Sequence, residues 1–314
     1  MKGLGTYSDI HRTRVIFLLV DERLTMQIVT DSGTDYLLSL APVNGLRAHV
    51  VPLVVTYEGK TYREGIDIET SEFYKLLEKT NSLPITSQPS AGVFAETYRQ
   101  LAANDPDILS IHISSGLSGT VNTARAGAAM VPEAHVTVVD TLTLSAASGW
   151  EVEAALRAAN AGWGVEKILP LLDRIRAASH SMYTLTDLKY LIHGGRISHM
   201  KGLIASLLKI LPIIGVEKQS GKYVQMGQTR SFNSAVDGLV NLIAKQFGQG
   251  STLRVQVLHA QNPEGASLLH DAIDRVFKCN WLPIGSLSLV LGAHTGPSMV
   301  GVAFGSQDAF DAVP

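Results

Sequence analysis

Along the first half of the chain the hydrophobic positions follow two periods in turn. Short, nearly continuous apolar runs read as buried strands at 26–30 (Met-Gln-Ile-Val-Thr), 107–113 and 136–140 (Val-Thr-Val-Val-Asp). Other segments carry apolar residues at helical spacing. A short helix capped by Thr70 or Ser71 has Phe73, Leu76 and Leu77 on one side, and a later one has Val93, Phe94, Tyr98 and Leu101. Two amphipathic helices follow at about 144–161 and 165–178, broken by Gly162-Trp163-Gly164. A further helix is expected at about 36–41, before Pro42. The run His49–Tyr57 turns at Glu58-Gly59 into Lys60–Arg63, a hairpin in which Pro52 marks an edge strand. Strands alternating with helices in this way are the pattern of a parallel, doubly wound sheet.

The pattern changes after about residue 180. Met182–Leu185 reads as a strand, and Asp187 caps a short helix holding Leu188, Tyr190, Leu191 and Ile192, which ends at Gly194-Gly195. Residues 203–211 are apolar around most of a helical circumference, the mark of a deeply buried helix or of a lid over something apolar. Pro212–Glu217 and Tyr223–Thr229 flank Gln219-Ser220-Gly221 and read as an antiparallel hairpin. Ser231 caps a helix to about 247, and strand 254–260, helix 263–277, strand 284–291 and a glycine turn at 292–298 follow. The expected organisation is an extension over 1–24, an N-terminal α/β domain over 25–179 with a parallel doubly wound sheet, and a C-terminal α/β domain over 180–314 with a mixed sheet and helices.

Length and charge agree with this division. A chain of 314 residues suits two domains, and 46% hydrophobic against 17% charged residues leaves material for large cores. A net charge of −2 gives no global field for nucleic acid or for an anionic membrane surface. The single cysteine, Cys279, rules out a disulfide within the chain and fits a reducing cytoplasm. The run Val15–Val20 is too short for a signal-peptide core and stops at Asp21-Glu22-Arg23. No apolar run approaches the roughly 20 residues that span a bilayer.

The chemistry-bearing residues gather where strands end. Strand 107–113 runs into Ser114-Ser115-Gly116-Leu117-Ser118-Gly119-Thr120 and then into a helix rich in small residues. Such a strand-to-helix turn lies where an open α/β sheet holds its ligand. Its hydroxyls and the first amides of the helix suit an oxyanion, although the serines also make ordinary helix caps. Asp31-Ser32 and Asp140-Thr141 end other strands, and Thr86-Ser87-Gln88 adds a further hydroxyl cluster. No Walker A run, dinucleotide fingerprint or His-Glu-x-x-His spacing occurs, so neither a nucleotide cofactor nor a metal is expected. His294, after an apolar run and before Thr295-Gly296, faces the crevice in one reading and is a structural histidine in the other. Ser115 or Ser118 with His294 would make the alternative, a serine-dependent hydrolase or transferase, although Gly-Leu-Ser-Gly is not a nucleophile elbow.

Taken as an ordered set, the runs Thr30-Asp31-Ser32 with Asp35, Thr86-Ser87-Gln88-Pro89, Ser114–Thr120, Asp140-Thr141, Gly195-Arg196-Ile197, Thr229-Arg230-Ser231 and His294-Thr295-Gly296-Pro297 resemble the DegV family of bacterial fatty-acid-binding proteins, the carrier subunits of the fatty acid kinase system. The resemblance covers about 26–305. It departs at Ser298, where the family often has glycine after proline, and in the 1–24 extension. It implies a ligand tunnel between two α/β domains that buries one long-chain fatty acid and presents its carboxylate to a fatty acid kinase subunit. The chain itself would then be a carrier with no catalytic residue and no cofactor. Thr86 and a serine of the turn, Ser115 in preference to Ser118, would hold the carboxylate, with Arg230 and His294 nearby. Asp31, Ser32, Ser87, Ser114, Gly116, Gly119, Asp140 and Thr295 would support the site. Leu203 and Leu207 are the expected lining of the acyl chain.

Overall fold

The computed structural model describes residues 26–36, 47–80, 82–198, 200 and 210–314. The expected helix at 36–41 beyond Tyr36, the extension over 1–24, and Leu203 and Leu207 lie outside these residues. The first unit contains, in chain order, β1 (Gln27–Asp31), β2 (His49–Val51), β3 (Val54–Tyr57), β4 (Lys60–Arg63), α1 (Thr70–Lys79), β5 (Ile85–Ser87), α2 (Ala91–Ala102), β6 (Asp107–His112), α3 (Thr120–Ala129), β7 (His135–Asp140), α4 (Ser145–Asn160) and α5 (Val165–Ala178).

Four of these strands form a parallel sheet in the order β2-β1-β6-β7. Its side chains alternate between two cores, as the pleat requires. Val29 and Ile108 pack with Phe94 and Tyr98 of α2 and Ala124 of α3, while Ile28, Leu109 and Ile111 pack with Trp150 of α4 and Ile168 and Leu172 of α5. Pro52 lacks an N–H and breaks the run expected at 49–57 in two. β2 becomes the edge of the parallel sheet, and β3 joins β4 and β5 in a small antiparallel sheet. The β3–β4 turn places both Glu58 and Gly59 at positive φ (48° and 76°), which suits the twist of a two-residue hairpin. Glu69, rather than Thr70 or Ser71, occupies the cap position of α1. Ser90 caps α2 by accepting from the Val93 amide at 3.3 Å.

The second unit continues with β8 (His180–Thr184), α6 (Lys189–His193), β9 (Leu211–Val216), β10 (Tyr223–Thr229), α7 (Phe232–Phe247), β11 (Thr252–His259), α8 (Pro263–Asp274), β12 (Lys278–Trp281), β13 (Gly285–Ser286), α9 (Leu289–Thr295) and β14 (Val300–Ser306). Its sheet runs β10-β9-β8-β14-β11-β12, with β13 also on β11, and mixes antiparallel with parallel pairs. The chain is thus an α/β protein of two α/β units. α7 and α8 cover one face of the mixed sheet through Leu239, Ile243, Leu269 and Ile273. The other face meets the first unit.

Two expectations change here. The helix at 144–161 is not amphipathic, because α4 is buried nearly all round. It packs with β1 and β6 on one side and with Leu258 and Ala303 of the mixed sheet on the other. Small residues (Ser145-Ala146-Ala147-Ser148-Gly149) allow that close approach. Its buried Glu151 meets Arg176 at 3.0 Å, and the Trp150 indole donates to Gln256 Oε1 at 3.1 Å. The strand expected at 284–291 is only Gly285–Ser286, and Leu289–Thr295 form a helix instead. The alternation Leu287, Leu289, Leu291 imitates a strand, but every residue of α9 is buried, and a short all-buried run has no polar face to reveal its period. β12 and the central strand β14, neither of them expected, complete the sheet.

Candidate functional site

A cleft of about 430 Å³, space open to solvent included, lies between the two units. Its polar lining is Thr86, Ser87, Gln88, Ser118, Arg196 and His294. Beside it is a second, almost wholly apolar chamber of about 400 Å³, space open to solvent again included. Leu144, Tyr223 and Leu291 line both spaces, so the polar cleft and the apolar chamber adjoin. Met182, Leu258, Leu287, Met299 and Val302 line the chamber alone.

Thr86 is fixed in β5 by its pairing with Val55 of β3. Its Oγ1 lies 2.8 Å from Nε2 of His294, which sits in the last turn of α9. Burial pushes the His294 imidazole down to about 3, and the Arg196 guanidinium, with His193 beside it, pushes in the same direction. The ring is therefore neutral at physiological pH. Its buried Nδ1 has no hydrogen-bond partner and faces Gly194, where a Cβ would come within 2.1 Å. An unpartnered lone pair costs less than an unpartnered buried N–H, which favours the proton on Nε2. Nε2–H then donates to Thr86, whose own hydroxyl proton is left to point at a ligand.

Arg196 spans the two units. One guanidinium nitrogen donates to the Gly194 carbonyl at 2.6 Å and the other to the Leu117 carbonyl at 3.4 Å, and further N–H groups remain beside the cleft. Ser118 Oγ lies 2.8 Å from Thr120 Oγ1 and also accepts the Thr120 amide. The cleft thus offers one permanent cation and several hydroxyls around a neutral imidazole, a donor set for a carboxyl group.

The other residues named from the sequence take different places. Ser115 is exposed, does not line the cleft, and gives its amide to Asp140 Oδ1 at 3.1 Å. Arg230 is exposed after β10 and does not line the cleft either. The turn 114–118 is not an open cradle of amides. The Gly116 amide donates to Ser114 Oγ, and the Leu117 and Ser118 amides to the Ser114 carbonyl. The turn instead docks on the β9–β10 turn. Ser114 Oγ donates to the Gly221 carbonyl at 2.8 Å, and a Cβ on Gly116 would lie 2.3 Å from the Ser220 carbonyl oxygen. Gly119 leaves room for the Gln88 side chain. Ser32 accepts the Leu53 amide at 3.0 Å, Ser87 lines the cleft, and Thr295 lines the chamber. Arg196, Gln88 and Tyr223 were not named as ligand contacts. For Arg196 a signal existed in Gly195-Arg196-Ile197, one of the ordered runs. The hydrolase alternative needs a serine on His294, but that imidazole meets Thr86 and Ser118 meets Thr120.

A second polar chain lies beneath the site. Asp31 accepts from Gly33 N, from Ile113 N and from His112 Nδ1 at 2.9 Å. His112 Nε2 meets Ser110 Oγ at 2.7 Å, and Ser110 meets the Tyr98 hydroxyl at 2.8 Å. The order Asp-His-Ser imitates a hydrolytic triad, yet Asp31, His112 and Ser110 are each 0% exposed and no substrate reaches the serine. The network fixes the carboxyl ends of β1 and β6. His112→Ala strips the buried Asp31 carboxylate of its imidazole and should cost about 3 kcal/mol, read as a lower urea midpoint.

Among the described residues no three His, Cys, Asp or Glu side chains are placed to hold a metal ion, and no helix is long and apolar enough to cross a membrane. Fold and site together define an α/β protein of two units with a polar cleft and an adjoining apolar chamber between them. The family model described as "Uncharacterised protein, DegV family" matches residues 25–307. A DegV domain-containing protein of Staphylococcus aureus is 34% identical over 88% of this chain and 96% of its own, and one of Streptomyces coelicolor is 35% identical over 89% and 98%. The chain belongs to the DegV family. Among solved structures, a fatty-acid-binding DegV-family protein of Thermus thermophilus superposes with a TM-score of 0.79 at 28% identity, covering 90% of this chain and 99% of that one. DegV of Bacillus subtilis, described as a fatty acid binding protein, has a TM-score of 0.79 at 27% identity, covering 90% and 100%.

Proposed function

We propose that this protein is a carrier that buries one long-chain fatty acid between its two units and presents the carboxylate to a fatty acid kinase partner in the cytoplasm. The observation that carries the reading is a polar cleft set against an apolar chamber, with Leu144, Tyr223 and Leu291 lining both. The fatty-acid binding of the related DegV-family proteins supports it. The headgroup lies among Thr86, Ser118, Arg196 and His294. Ser118 is preferred to Ser115, and Arg196 to Arg230, because they line the cleft. The two units correspond to domains over 25–179 and 180–314.

The energetics favour a tightly held ligand. Burying a chain of roughly 15 methylenes gains about 12 kcal/mol, at about 0.8 kcal/mol each. A few kcal/mol spent on ordering the chain still leaves submicromolar binding. Extraction of the purified protein with organic solvent, followed by mass spectrometry, should return close to one fatty acid per chain. Protein that is empty, and that stays empty after incubation with palmitate, would overturn the reading. Adding the partner kinase and ATP to loaded protein should yield an acyl phosphate, and its absence would remove the kinase step while leaving the carrier.

A further inference from the structure

α9, the helix that carries His294, belongs to the second unit but is gripped at both ends by the first. At its start, the Ser288 amide donates to Asp35 Oδ1 at 3.0 Å and the Leu289 amide donates to Glu64 Oε1. The Tyr74 hydroxyl donates to the Leu287 carbonyl at 3.0 Å and presses on Gly292, where a Cβ would lie 2.1 Å from it. Ser145 Oγ holds the second oxygen of Asp35. At its end, His294 meets Thr86. The first amides of a helix have no partners within it and carry partial positive charge, so two carboxyl groups there are good acceptors. Seven residues at about 1.5 Å each make a stiff lever of roughly 10 Å between the acids and the imidazole.

We propose that Asp35 and Glu64 are positioning residues that act through α9: by holding its first amides they set His294 against Thr86 and keep the two units closed over the ligand cleft. What they position is the headgroup site of the carrier reading, and to that extent the inference rests on it.

The placement has a consequence for pH. Both acids are buried, Asp35 at 1% and Glu64 at 9% exposure. Burial, which outweighs their hydrogen bonds, raises Asp35 to about 7 and Glu64 to about 8. Among the described residues the ionisable groups around them are each other, since the Asp35 charge raises Glu64, then Asp31 of β1, whose charge raises both, Tyr74 of α1 and Tyr223 of β10. A carboxyl group whose pKa is raised in the closed state binds protons there and releases them on opening. Closure is therefore favoured at low pH, weakens as pH rises from the ordinary carboxyl range towards the raised values of about 7 and 8, and levels off above them. Ligand release should quicken over the same range.

The test uses the full chain and two readouts. Hydrogen exchange of the backbone amides of 288–296 should be about tenfold faster or more in Asp35→Ala and in Glu64→Ala, each of which removes an acceptor. Asp35→Asn and Glu64→Gln keep an acceptor oxygen and should restore slow exchange. Release of palmitate from the wild type should accelerate between about pH 5 and 8 and then level off, and the Asp35→Asn, Glu64→Gln double variant should flatten that profile. Unchanged exchange in the alanine variants, or a wild-type pH profile in the double variant, would overturn the proposal. Failure of the wild type to take up palmitate would count against the carrier reading alone, since the exchange measurement needs no ligand. If an alanine variant does not fold, the conservative variants decide through the pH profile.

Discussion

Arg196→Met lowers the affinity for palmitate about 10- to 100-fold, whereas Arg230→Met leaves it unchanged. A hydrogen bond to a charged group contributes about 1.5–3 kcal/mol, and among the described residues Arg196 is the cation that lines the cleft. Methionine keeps much of the apolar stem, so the loss isolates the guanidinium. Some destabilisation accompanies it, because Arg196 also bridges the Gly194 and Leu117 carbonyls across the two units. A urea titration without ligand measures that part separately. Arg196→Lys should recover affinity only in part, because an ammonium cannot hold two carbonyls and a carboxylate in one plane. The comparison is decided by displacement titration with palmitate. A loss confined to Arg230→Met would move the carboxylate away from the cleft.

That contrast shows what the sequence could and could not disclose. Strand-end residues announce themselves locally, and Asp31, Ser32, Asp140 and the 114–119 turn were legible for that reason. Their partners were not. A glycine shows that something approaches the backbone without showing what: Gly116 and Gly221 are small because the two units touch there. The hydroxyls of Ser114 and Ser118 advertise donors, yet Ser114 spends its proton on the Gly221 carbonyl. Thr86 and His294 lie 208 residues apart; the ordered resemblance implies a common site for them, but not the hydrogen bond between them. His294 was placed at the crevice for a mistaken reason, as the end of a strand, because the all-buried α9 conceals its helical period. Asp35 and Glu64 drew little notice, since an isolated acid reads as a solvated one until its burial is known. α4 seemed amphipathic because its acids looked like a polar face, yet Glu151 and Glu153 are buried and paired with arginines from α5 and β11.

The apolar chamber carries the second large effect. Ala303 of β14 lines the chamber and does not line the cleft. Ala303→Phe therefore takes up room for the tail while leaving Thr86, Arg196 and His294 untouched. Excluding about four methylenes costs about 3 kcal/mol, which is on the order of a 100-fold loss of affinity for palmitate. Shorter saturated acids, which never needed that room, should bind as they do to the wild type, so the preferred chain length moves down. Overpacking a filled core costs roughly 1–3 kcal/mol, and a urea titration without ligand measures that part separately. Titration with saturated acids of increasing length reads both consequences at once. An unchanged length profile in a folded variant would mean that the tail runs elsewhere. A uniform loss at every length would mean that the ring disturbs the cleft as well. Only a loss that grows with chain length matches a tail lying along β14 beneath α4.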